Sequence, residues 1–247
     1  MSKYKKLQQM KQRKKRTLRD RLSLQQAMRA VGSGSMDFYG QSAHLAVMEI
    51  TEESSEMDPP LTPEGNDKAS RAIELAHEQK YKEAIDLLSE VNVREPGRPP
   101  IIYNLASFRH LLDEKGTKEE YDETIDMLVR DFPDYFFGQT AYATRLIAQD
   151  RLDEARDILL PLYQSQRLHI TEFKALSSAV IAYFLADGDE ERAGQAHQAA
   201  VKVCGEDGFP SMESFHIRLL INRLSRTTEK NKKRGATKKT VKNRKGE

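Results

Sequence analysis

Metal or acid–base chemistry in this chain would have to come from its histidines and its lone cysteine. His77, His110, His169, His197 and His216 fall on separate stretches, and no two of them stand four residues apart, so no helical turn offers a metal a histidine pair. His197 and Cys204, seven residues and two helical turns apart, come nearest to a ligand pair, and that spacing reads as packing. No glycine-rich phosphate loop, nucleophile elbow, paired-cysteine motif or His-Glu-x-x-His occurs. The acids cluster as Asp187, Asp189, Glu190 and Glu191, and as Asp113, Glu114, Glu119 and Glu120, at expected helix starts and turns. There they complement helix dipoles and keep the surface soluble. The expectation is a protein without catalytic residues, cofactor or metal.

The other reactive feature is charge. Residues 1–31 hold 11 Lys and Arg against one acid, a charge of +10, and residues 225–247 hold 10 against two, a charge of +8. The middle holds 19 against 35, a charge of −16, and only cancellation leaves the chain at +2. The last segment carries Lys232, Lys233, Arg234, Lys238, Lys239 and Arg244 with no aromatic residue among them. Such a tail neutralises phosphates but cannot stack on bases, so it is a candidate contact for RNA or another acidic polymer without sequence preference. Docking on the acidic body, an import signal and plain solubilisation are the other readings of these ends.

The elements that must position these groups follow from periodicity. Between Tyr4 and Arg29 there is no proline or glycine, and Leu7, Met10, Leu18 and Leu22 recur at rough helical spacing, which predicts a basic amphipathic arm over 1–31. Residues 32–67 read as an acidic, disordered linker, from Gly32-Ser33-Gly34-Ser35 to the prolines at 59, 60 and 63, with a short apolar island from Ala43 to Ile50 that is a candidate docking turn. From Lys68 to Leu224 apolar-periodic segments alternate with brief turn signals and show no period of two, which predicts an all-α body, followed by a disordered basic tail over 225–247. No window approaches about 18 consecutive apolar residues, and no apolar stretch follows the Lys-rich start. The expectation is a cytoplasmic protein that does not enter a membrane.

An internal period organises the body. Counting from Gly65 as position 1 places Ala72 at 8, Leu75 at 11, Tyr81 at 17, Ala84 at 20, Leu88 at 24 and Pro96 at 32; counting from Phe136 places Ala143 at 8, Leu146 at 11, Leu152 at 17, Ala155 at 20 and Leu159 at 24. This pattern resembles the tetratricopeptide repeat (TPR), a 34-residue helix-turn-helix unit. Pro99 to Pro133 resembles a degenerate unit with extra residues around Asp113 to Lys118. Lys174 to Gly205 resembles a fourth, with Gly188 and Ala193 at positions 15 and 20 but Ile181 where a small residue belongs; a one-residue shift would put Ala182 there. Alanines mark crossings where two helices approach closely. Ser211 to Leu224 reads as a capping helix, with Ser211 as N-cap, Phe215, Leu219 and Leu220 inward, and Arg218 and Arg223 outward. The resemblance implies a TPR-like α-solenoid of about four units plus that cap. Another α-solenoid or an irregular bundle is the competing reading.

In the family the first helix of each unit lines a concave groove through positions 2, 5, 6, 9, 12 and 13. Carried over from the first three units, this implies a partner-binding surface containing Ile73, His77, Tyr103, Asn104, Ser107, Phe137, Thr140 and Thr144. Of the clamp by which some members hold a chaperone's terminal carboxylate, only Asn104 matches, while Ala69, Ile73, Phe137 and Ala141 occupy the other places. The implied role is a non-catalytic scaffold for a peptide or partner helix, the stripe of the chain's own arm being one possible occupant. The alternative is an RNA- or ribosome-associated protein anchored by its ends. Removing residues 225–247 should weaken retention of the chain on immobilised RNA at low salt; equal, weak retention of both forms would refute a nucleic-acid role for the tail.

Overall fold

A computed structural model of the chain describes residues 36–38, 41–43, 49–51, 60–114, 116–165 and 167–221. The expected arm over 1–31, Arg223 and the tail cations from Lys232 to Arg244 lie outside the described residues. The described chain is predominantly helical, and helices adjacent in sequence pack against one another.

Helices α1 (Pro63–His77) and α2 (Tyr81–Arg94) form the first hairpin. The expected linker thus ends earlier than Lys68, because Thr62 caps α1 by accepting the Gly65 N–H at 3.1 Å and Pro63 occupies the first turn, where a missing N–H costs nothing. The Glu95 carboxylate, just past α2, accepts from the Thr62 N–H at 3.0 Å and from the Thr62 hydroxyl at 2.7 Å. A Cβ at Gly65 would lie 2.1 Å from Glu95 Oε1, so this clasp requires glycine there.

Helices α3 (Pro99–Leu112) and α4 (Lys118–Asp131) make the second hairpin, and α5 (Phe136–Ala148) and α6 (Leu152–Tyr163) the third. The fourth pairs α7 (Ile170–Asp187) with α8 (Glu190–Cys204). Three of the four turns are the same object. Gln79, Asp150 and Gly188 each adopt a left-handed backbone, at φ of 62°, 69° and 87°. The residue after each donates its N–H to the carbonyl five residues back: Lys80 to Leu75 at 2.9 Å, Arg151 to Leu146 at 3.0 Å and Asp189 to Phe184 at 2.9 Å. This closure satisfies helix-end carbonyls and reverses the chain within two or three residues. The second hairpin departs from it through a longer loop, in which Asp113 Oδ1 accepts the Gly116 N–H at 2.9 Å.

Five residues beyond each left-handed residue stands an alanine, Ala84, Ala155 or Ala193, and all three are wholly inaccessible to solvent. Ala72 and Ala143 face them in the first and third hairpins with no exposure either. In the fourth the equivalent place belongs to Ile181, also fully buried, and Ala182 is only half-buried, so the one-residue shift does not occur. That helix has its own start, at Ile170 rather than Lys174, because the Thr171 N–H donates to His169 Nδ1 and the Glu172 carboxylate accepts the His169 N–H.

The buried apolar residues form two clusters. The smaller joins α1 and α2 to Ile101, Leu105 and Phe108 of α3. The larger joins α5 and α6 to α7, α8, Phe209 and Phe215. Helix α7 is apolar around most of its circumference and touches α5, α6 and α8, as a helix enclosed by others must. After a short 3-10 turn (Glu206–Gly208), the helix α9 (residues 212–221) closes the larger cluster. Ser211 Oγ accepts the Ser214 N–H at 3.3 Å, the cap expected of it. Phe215 turns inward and Leu219 is half-buried, but Leu220 faces solvent at 57% exposure, contrary to expectation.

The structure also contains strands where periodicity shows none. Met36–Phe38 (β1) pairs with Gln41–Ala43 (β2), and Glu49–Thr51 (β3) runs parallel to Arg167–His169 (β4). Ile50 pairs with Leu168 and packs on the larger cluster, so part of the expected flexible linker is docked. Three-residue strands leave too little alternation to read from sequence.

Two outcomes are expected. Replacing Ala84 or Ala155 by Leu overpacks a closed crossing and should cost about 1–3 kcal/mol in urea unfolding; an unchanged midpoint would place the crossings elsewhere. The Thr62 side-chain and backbone hydrogen bonds hold the Glu95 carboxyl below its ordinary value of 4.5. Its contribution is therefore complete above pH 4.5 and lost as pH falls through the lowered value. Exchange protection of the Thr62 amide should fall as pH drops below 4.5 in the native chain and show no such step in Glu95→Gln.

Candidate functional site

Three helices with i, i+3, i+4 spacing each turn one stripe towards a common hollow. Helix α5 contributes Thr144, Ile147 and Ala148, α7 contributes Ser178, Ala179, Ala182 and Leu185, and α9 contributes Phe215, Arg218 and Leu219. The hollow measures about 110 Å³. It exists because alanine and serine at 148, 178, 179 and 182 are too short to fill the space between helices whose spacing is set by larger residues behind them, among them Leu146, Ile181 and Phe184. Its floor is apolar and its edge carries two hydroxyls and one guanidinium. The Thr144 hydroxyl donates to the Thr140 carbonyl at 2.8 Å and keeps lone pairs free to accept. Arg218 is exposed and makes no ion pair among the described residues.

The residues expected to line a partner surface divide between three places. Thr144 borders the hollow. Tyr103 and Phe137 meet on a second patch, with ring centres 5.9 Å apart, together with Tyr135 at 6.0 Å from Tyr103. Ile73 packs against the smaller cluster and His77 is exposed in the last turn of α1, away from both. Asn104 and Ser107 are half-buried on α3. Thr140 is a correction: it is 4% exposed, and its hydroxyl donates to the carbonyls of Phe136 at 3.1 Å and Phe137 at 3.2 Å, so it offers a partner nothing.

The aromatic patch lies where the two apolar clusters approach each other, and its polar atoms are poorly matched. Burial pushes the phenols of Tyr103, Tyr121 and Tyr135 up, so they stay neutral. Ser107 Oγ stands beside the Tyr103 and Tyr121 hydroxyls but meets neither in hydrogen-bond geometry, and it is buried. His110 stacks on Tyr121 at 4.7 Å, and its buried Nδ1 has no partner. Ser107 and His110 are therefore not joined as nucleophile and base.

The remaining candidate ligands serve packing. His197 Nε2 donates to the Pro210 carbonyl at 2.8 Å, and its ring lies against Phe209 and Phe215, which fastens α9 to α8. Cys204 is half-buried, and burial raises its thiol. Among the described residues no three His, Cys, Asp or Glu side chains gather to hold a metal ion, and no helix is long and apolar enough to cross a membrane.

The lining from α7 and the contribution of Arg218 and Leu219 were not expected from sequence. A usable signal was present for α7: counting Lys174 as position 1 puts Ser178, Ala179, Ala182 and Leu185 at offsets 5, 6, 9 and 12, four of the offsets applied to the other units. No such count reaches α9, which belongs to no unit. Comparison of the chain with protein-family models, with curated proteins and with solved structures finds no match.

Proposed function

We propose that the chain is a non-catalytic interaction scaffold in which TPR-like hairpins stack as a solenoid and seat a peptide or partner helix on their hollow side. The observation that carries this reading is the hollow between α5, α7 and α9, in which the first helices of the third and fourth hairpins, α5 and α7, both contribute their offsets 9 and 12, α9 adds a further wall, and the floor is of small apolar side chains. The three identical turns and their fully buried alanines support a repeated unit, and one helix pair cannot bury its apolar face alone. Helical surfaces of this kind bind an extended or helical segment by receiving its apolar side chains in successive notches.

The test is selection of a displayed random peptide library on the full chain, followed by NMR titration of the enriched peptides. Amide shifts should concentrate on α5, α7 and α9 and spare α2. Failure to enrich any peptide, or shifts centred elsewhere, would overturn the reading.

A further inference from the structure

We propose that the hollow selects a peptide with one aliphatic side chain beside one carboxylate, the side chain entering between α5 and α7 and the carboxylate pairing with Arg218. The inference rests on the scaffold reading above and names the chemistry of its ligand.

A volume of about 110 Å³ is somewhat less than the roughly 150 Å³ that accommodates a benzene-sized guest, so a Leu, Ile or Met side chain fits and an indole does not. Ala148, Ala179 and Ala182 offer it only methyl groups, and Leu185 and Phe215 close the inner wall. Arg218 stands one helical turn from Phe215 and next to Leu219, so its guanidinium shares the face that lines the hollow. None of the ten lining residues is acidic, and among the described residues no acid pairs with Arg218. One guanidinium balances one carboxylate; a phosphate dianion or a run of acids would need further cations that this lining lacks. The segment between the basic ends carries −16, so an acidic run is also repelled over the screening length of about 8 Å, whereas a single carboxylate already in contact is not penalised to that extent.

The probes are hexapeptides with one Leu in a Gly-Ser background. In one pair Leu is followed by Glu or Gln; in the other it is the last residue, with a free or amidated terminus. Binding to the full chain is read by NMR titration of α7 and α9 amides. The carboxylate form of at least one pair should bind roughly three- to five-fold tighter than its neutral form, the size expected of one exposed ion pair. Which pair shows it identifies the source of the carboxylate. The preference should vanish in Arg218→Gln, persist in Arg218→Lys and shrink at high salt. Ala182→Phe, which fills the hollow, should remove binding of all four peptides while the melting curve stays cooperative. Equal binding of charged and neutral forms in both pairs, or a preference that survives Arg218→Gln, overturns the inference and leaves the scaffold reading in place. Absence of binding by all four peptides, when library-selected peptides do bind the groove, overturns the inference alone; absence of both overturns the scaffold reading with it.

Discussion

Close approach of two helix backbones at Ala84, Ala155 and Ala193 is the contact on which the molecule depends. Each of these alanines is fully enclosed, and each stands five residues after a left-handed residue that reverses the chain. The turn and the crossing constrain one another. A reversal of two or three residues leaves the second helix little room to swing away, so the side chain at the crossing has to be small. Gln79 and Asp150 adopt a backbone usually left to glycine, which costs a little locally and is repaid by the packing that the reversal permits.

Hairpins of this kind leave each first helix open on one side, and its neighbours decide what covers it. Helix α7 is nearly enclosed by α5, α6, α8 and the strand β4, and Phe215 and Phe209 complete the cluster around it. The second hairpin is handled differently. Its turn is longer, and the space between the two apolar clusters is filled by Tyr103, Tyr121, Tyr135 and Phe137 with unmatched polar atoms at Ser107 and His110. Arg145 of α5 crosses this boundary, donating to the Asp122 carbonyl of α4 at 2.8 Å and pairing with Asp126. Buried polar atoms without partners are expensive, so Ser107 and His110 detract from the stability of this seam.

The hollow follows from the same rule as the crossings. Small residues facing another backbone bring helices together, as at Ala143 and Ala155; small residues facing outward beside larger neighbours leave a notch, as at Ala148, Ala179 and Ala182. The distinction lies in the rotational position of the residue on its helix. Arg218 then supplies the charge that an all-apolar notch lacks.

Helix content, the four hairpins, the alanines at three crossings, the irregular second unit and the Ser211 cap were legible in the order of residues, because each rests on spacing within about thirty residues. The start of α1 at Pro63 was missed in favour of Lys68, because the surrounding prolines read as linker and hid the cap signal of Thr62-Pro63. Thr140 and Leu220 were placed wrongly because a helical period locates a stripe but not the edge at which burial ends. Tertiary structure alone decided three things: that β3 lies beside β4 across more than a hundred residues, that Tyr135 joins Tyr103 and Phe137, and that Arg218 faces the hollow. Each is a meeting of segments distant in the chain. Local propensity and periodicity act over a few turns, so the residues that meet across such distances are chosen by packing of the whole.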